Sequence, residues 1–161
     1  MKRGQLEISF GMIFSIIIII AVIATSFYVI QYFTNLTKCS TIGLFYEGIQ
    51  KETNTAWQGT TSKSLFVGNV PSQISYVCFG NMTLSPRSAD IERYNELKKT
   101  YRLSSSNAFM YPVQKSCSNL GDHNINHVNI PEFFCIKQIG GKVKISLEKG
   151  AFDNFVKFSS T

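Results

Sequence analysis

The sequence predicts an α+β fold: a long N-terminal helix, transmembrane and then amphipathic, packed on an antiparallel β-sheet, with one short additional helix. Three observations carry that expectation. From Phe10 to Phe33 no residue is charged, and Ile16 to Ile20 are five consecutive isoleucines. Beyond that stretch Phe33, Leu36, Ile42, Phe45, Tyr46, Ile49 and Trp57 recur at roughly helical spacing. After Lys63 the pattern changes to short β-branched and aromatic runs bounded by glycine, proline and asparagine.

The charge-free stretch is long enough to cross a hydrocarbon core of ~30 Å, which takes about 20 apolar residues. It is apolar on every face, so it has no amphipathic pattern of the kind that lies against a soluble core. A cleaved secretory signal has a shorter apolar region, about 7–15 residues, followed by a small-residue cleavage site. Here the stretch ends in Tyr28, Gln31, Tyr32 and Phe33, an aromatic belt of the sort that sits at a membrane–water interface. Lys2 and Arg3 precede it and only Lys38 follows closely. The positive-inside rule then puts the N-terminus in the cytoplasm. The expected division is 1–33, cytoplasmic N-terminus and transmembrane helix, and 34–161, an extracellular domain.

All four cysteines, Cys39, Cys78, Cys117 and Cys135, lie beyond the span, and their number is even. In an oxidising compartment this predicts two disulfides, with three possible connectivities. Loop length favours Cys39–Cys78 with Cys117–Cys135, which close the shorter loops. Two sequons, Asn35-Leu36-Thr37 and Asn81-Met82-Thr83, would face glycosylating enzymes on that side, Asn35 lying near the lipid surface.

Each element has a local reason. With no proline before Pro71, one helix from about residue 8 to about residue 57 is expected; Gly43 and Gly48, each worth about 1 kcal/mol against helix relative to alanine, mark where it would kink. Gln58 to Lys63 reads as a polar turn. Leu65-Phe66-Val67 and Ile74 to Phe79 read as strands, the second apolar on both faces: Ile74, Tyr76 and Cys78 on one, Val77 and Phe79 on the other. After Pro86, Ser88 is a candidate N-cap, with Asp90 and Glu92 in the first turn. Ile91, Tyr94, Leu97 and Tyr101 then mark one helical face, and Lys98, Lys99 and Arg102 match the helix C-terminus. Phe134 to Ile139, Gly140-Gly141 and Lys142 to Leu147 read as a β-hairpin on a two-glycine turn, with Val143, Ile145 and Leu147 facing inward. Phe152, Phe155 and Phe158 belong to either a short helix or a last strand. Trp57 is expected in the core.

Few residues invite chemistry. Cys117, Asp122, His123, His127 and Cys135 are the only metal-like cluster, His123 and His127 being the alternative zinc ligands. Gly121 and three asparagines around the histidines indicate a loop rather than a helix, and cysteines outside the cytoplasm pair, so no metal and no cofactor is expected. No nucleophile elbow or phosphate-cradling glycine loop is present, and no enzyme is expected. A net charge of +6 is spread along the chain without a nucleic-acid module, so the expected partner is membrane lipid rather than nucleic acid. Glu7, beside the span, is costly unless it is interfacial, paired or functional.

The opening Lys2-Arg3-Gly4-Gln5, followed within a few residues by the apolar helix, resembles the class III signal of archaeal type IV pilin-like proteins. The resemblance covers about thirty residues; in texture the rest looks like small uncharacterised archaeal membrane proteins. It implies processing after Gly4, a new N-terminus at Gln5, a retained helix that associates with copies of itself or other pilin-like subunits, and an outer half packed on an antiparallel sheet. The family's glutamate falls four residues after the glutamine; here Ser9 holds that position, a departure from the family, and the acid is Glu7, which is the candidate residue for assembly. The implied role is a non-enzymatic subunit of a surface filament or pseudopilus. The alternative is an unprocessed, anchored binding or envelope-structural domain.

Overall fold

A computed structural model describes residues 10–117 and 119–160. Helix α1 runs from Phe10 to Gln58, strand β1 from Ser62 to Asn69 and β2 from Tyr76 to Phe79; a 3₁₀ turn at Ser88–Asp90 leads into helix α2, Ile91–Tyr101. Strands β3 (Ala108–Tyr111), β4 (Asp122–His123), β5 (Val128–Asn129), β6 (Phe134–Lys137), β7 (Lys142–Lys149) and β8 (Val156–Ser160) complete the described chain. The class is α+β, as the periodicities require. The chain divides into two compact units between Thr37 and Lys38.

In the first unit the residues of α1 are exposed throughout, from Met12 past the isoleucine run to Phe33. The helix is long and apolar enough to cross a membrane, and no other helix among the described residues is. Within it Ser15, Thr25, Ser26 and Thr34 each donate a hydroxyl to a carbonyl one turn back, at 2.7–3.0 Å. Hydroxyls that would be stranded in hydrocarbon are thereby satisfied inside the helix.

In the second unit α1 turns amphipathic. Ile42, Phe45, Tyr46, Ile49 and Ala56 are buried, and buried Thr53 donates its hydroxyl to the Ile49 carbonyl at 2.7 Å. Neither Gly43 nor Gly48 interrupts the helix; Phe66 packs directly over Gly48. At the far end Lys149 reaches across from β7 and donates to the carbonyls of Trp57 and Gly59, at 2.6 and 2.8 Å, so a cation meets the helix C-terminus where carbonyls lack partners.

The strands form two four-stranded sheets. The first has the order β1-β7-β8-β5, antiparallel except for the parallel β5–β8 pair; the second has the order β4-β3-β2-β6, antiparallel throughout. Both feed one core with α1, the first through Val143, Ile145, Leu147, Val156 and Phe158, the second through Val77, Phe79, Ala108, Met110 and Phe134. The opposite face of β2 carries Cys78 into a smaller core with Met82, Tyr94, Leu97, Phe109 and Phe133 under α2. β2 is thus buried on both faces, as its sequence indicates, although Ile74 precedes the strand and joins the first core.

Several sequence expectations are corrected. Gly140 and Gly141, at φ 58° and 76°, do form the tight turn, and Ile139 and Lys142 exchange hydrogen bonds of 2.9 and 3.1 Å across it. The pairing stops there. β6 goes to β2 and β7 to β1, so the turn joins two sheets instead of closing a hairpin. The disulfides are Cys39–Cys117 and Cys78–Cys135, not the short-loop pairs. Cys78 stands directly opposite Cys135 in the β2–β6 register, and sheet pairing rather than chain proximity decides that partner. Ser88 caps nothing: the residue before α2 is Asp90. The tail ends as a strand, with Phe158 buried and Phe152 fully exposed.

Asp90 is buried, and its carboxylate does the work of a bracket. One oxygen accepts from the Cys135 backbone N–H at 3.0 Å; the other takes Arg93 Nε at 3.2 Å and Nη2 at 2.6 Å. Arg93 also donates to the Ala89 carbonyl and lies 4.2 Å from the Tyr76 ring centroid. Asp90→Ala would leave the Cys135 N–H unpartnered and strip the Arg93 guanidinium of its carboxylate, an expected loss of about 3 kcal/mol in urea unfolding of the full chain in detergent. Asp90→Asn, which keeps an acceptor, should lose less.

Candidate functional site

The residues implicated in processing and assembly, Gly4, Gln5 and Glu7, lie outside the described residues, as do Lys2 and Arg3. Cys39, Cys78, Cys117 and Cys135 are all in disulfides, which leaves no thiolate for a metal. His123 and His127 do not converge. The His123 ring stacks on Tyr46 at 4.6 Å, whereas His127 stacks on Trp57 at 3.8 Å and nearly parallel. Among the described residues no three potential ligands gather into a metal site. Asp122 and His123, neighbours in sequence, also part: Asp122 accepts from Ser104 and Ser106 at 2.5 and 2.8 Å.

What the fold does assemble is a groove of about 560 Å³ along the outer half of α1. One wall is the helix face carrying Glu47, Gln50, Lys51, Asn54 and Gln58, which recur every three or four residues; Leu120 and His123 form the other. The two walls are tied together. Gln50 Oε1 accepts the Asn126 N–H at 2.9 Å, while its Nε2 donates to Asn54 Oδ1 at 2.8 Å. His127, with φ 62°, brings Nδ1 to 3.3 Å from the same Asn54 oxygen. Its ring partner Trp57 is exposed at the edge rather than buried in the core, and donates Nε1–H to the Asn154 carbonyl at 3.1 Å. The sequence shows the polar helical stripe, but not the loop that faces it seventy residues later.

Tyr46 lies beneath His123 and is buried, yet its hydroxyl has no hydrogen-bond partner among the described residues. Burial pushes its pKa well above the ordinary phenol range, and the negative charge of Asp122 adds to the rise. Tyr101, also raised mainly by burial, occupies the space over Gly121: a Cβ there would approach its Oη to 2.1 Å. The groove therefore offers carboxamides, one carboxylate, one ammonium and a stacked imidazole over a neutral phenol. That is a hydrogen-bonding surface. Comparison with protein-family models, curated proteins and solved structures finds no match.

Two expected outcomes follow from these phenols. Tyr46→Phe removes a desolvated hydroxyl but keeps the ring on His123, so the chain should be more stable by about 1 kcal/mol. A shift of the urea midpoint to higher concentration with unchanged slope checks this; a loss would mean that the hydroxyl has a bound partner. Tyr111 donates its hydroxyl to Glu96 at 2.6 Å, and that hydrogen bond, with smaller contributions from burial and the negative charges of Glu96 and Glu92, pushes its pKa up to about 12. Because the folded-state pKa is raised, the contribution of this pair is fully present below the ordinary phenol pKa near 10 and is lost as pH rises through about 12. Ultraviolet titration should show a phenolate that forms only as pH approaches about 12, and Glu96→Gln should lower its midpoint.

Proposed function

We propose that this chain is a non-enzymatic, pilin-like membrane subunit. Its N-terminus is cytoplasmic, residues 34–161 are extracellular, and the N-terminal helix associates with its own copies or with other pilin-like subunits. The observation that carries the reading is that α1, assigned without a break from Phe10 to Gln58, supplies an exposed apolar segment to one unit and the central buried helix to the other. Two disulfides fit a domain that matures in an oxidising compartment. Gly4-Gln5 beside the apolar segment supplies the processing signal.

In a bundle of such helices a carboxylate near the start needs a partner. Glu7 would find it in the α-amino group freed at Gln5 of a neighbour, in surroundings where an ion pair is worth more than the ~0–1 kcal/mol of an exposed one. An anchored binding domain is the second reading, favoured by the groove beside Tyr46 and His123.

N-terminal sequencing of protein from its native membrane tests the proposal. The expected first residue is Gln5. Replacing Gly4 should block cleavage, and Glu7→Ala should leave the anchored protein stable while impairing assembly. An N-terminus still at Met1 would overturn the pilin reading in favour of the anchored binding domain.

A further inference from the structure

The turn after β2 presents a modification site. Gly80, at φ 126°, lets the chain leave the strand against Phe133, where a Cβ would come within 2.8 Å of the Phe133 Cα. The next four residues close a turn, Leu84 N–H donating to the Asn81 carbonyl at 3.0 Å. Met82 is buried beneath it, and its own carbonyl accepts the Tyr94 hydroxyl at 2.6 Å. With the middle residue anchored, Asn81 and Thr83 are both exposed.

Their side chains are joined. Asn81 Oδ1 accepts the Thr83 backbone N–H at 3.1 Å and lies 3.3 Å from the Thr83 hydroxyl, an Asx turn built within the Asn-x-Thr triplet. These contacts engage the oxygen end of the carboxamide and leave Nδ2 on its other side, without a hydrogen bond among the described residues. We infer that Asn81 is an acceptor of N-linked saccharide. It rests on the extracellular placement of residues 34–161 proposed above. In the transfer, the bond from Asn81 Nδ2 to the anomeric carbon forms as the bond from that carbon to the phosphate oxygen of a lipid-linked saccharide breaks. The Nδ2 proton passes to a base on the transferase, and the lipid phosphate leaves.

Asn35, in the other sequon, has different geometry. It lies within α1, and the Thr37 hydroxyl donates back to the Phe33 carbonyl at 2.9 Å, as a helical threonine does. The Asx turn selects Asn81 between the two. A glycan there would cover the turn above the α2 core, adding bulk and water-binding surface to that side.

The test uses the full chain, expressed in a cell that N-glycosylates its own surface proteins, with a single-sequon secreted reporter as positive control. After reduction and alkylation of the two disulfides, trypsin releases residues 64–87 as one peptide containing only the Asn81 sequon. Mass spectrometry should find that peptide carrying saccharide. The modification should be lost in Asn81→Gln and Thr83→Ala and kept in Thr83→Ser, with the gel mobility of the whole chain changing in parallel. Protease added to intact cells reports placement in the same samples. An unmodified peptide from a domain that external protease does digest overturns the glycan and spares the topology. An unmodified peptide from a protected domain overturns both.

Discussion

The outer half of α1 has to satisfy two sheets with one face, and the rest of the domain is arranged around that demand. Ile42, Phe45 and Ile49, three and four residues apart, meet the side chains of β7 and β8 together with those of β2 and β3 in one core. Neither sheet alone would cover its apolar side, since each is only four short strands wide. The approach is close enough that Gly68 on β1 has no room for a side chain: a Cβ there would stand 2.4 Å from the Phe45 ring. Phe45 in turn meets Phe66 edge-on at 5.6 Å. Where helix and sheet press together, small residues are a geometric requirement.

The helix end is secured as firmly as its middle. Lys149 belongs to β7, whose inward residues are already in the core, so its ammonium reaches the Trp57 carbonyl at the end of α1 and the Gly59 carbonyl just beyond it from a strand held in place by that core. Asp90 plays a comparable part on the other side, joining the start of α2 to the backbone of β6. Both are single charged side chains that let one secondary-structure element hold another, at places where backbone groups would otherwise lack partners.

Elements written in local patterns were legible in the sequence. The 3.6-residue recurrence gave α1 and α2, the β-branched runs gave β1, β2, β6 and β7, and Gly140-Gly141 gave the turn. Pairing between elements was not legible, because it is decided far along the chain. A two-glycine turn guarantees only its first rung of hydrogen bonds, and β6 finds β2 a better neighbour than β7. Loop shortness is an argument about the unfolded chain, while the Cys78–Cys135 bond follows the register of the folded sheet. The candidate site divides in the same way. The polar stripe from Glu47 to Gln58 can be read off the helix, but Leu120, His123 and the Asn126 backbone enter it only through the fold.

The bond between Cys39 and Cys117 has a mechanical consequence. Cys39 is the second residue of the folded unit, so a pull transmitted along α1 from its N-terminal side meets a covalent link before it meets Ile42 or any sheet contact. The load is handed to the segment leading into β4, and the helix cannot be peeled away turn by turn from its exposed end. Reduction would turn that shear-resistant attachment into an ordinary noncovalent one, leaving tension to be borne by side-chain packing and by the few hydrogen bonds that Gln50, Trp57 and Lys149 make.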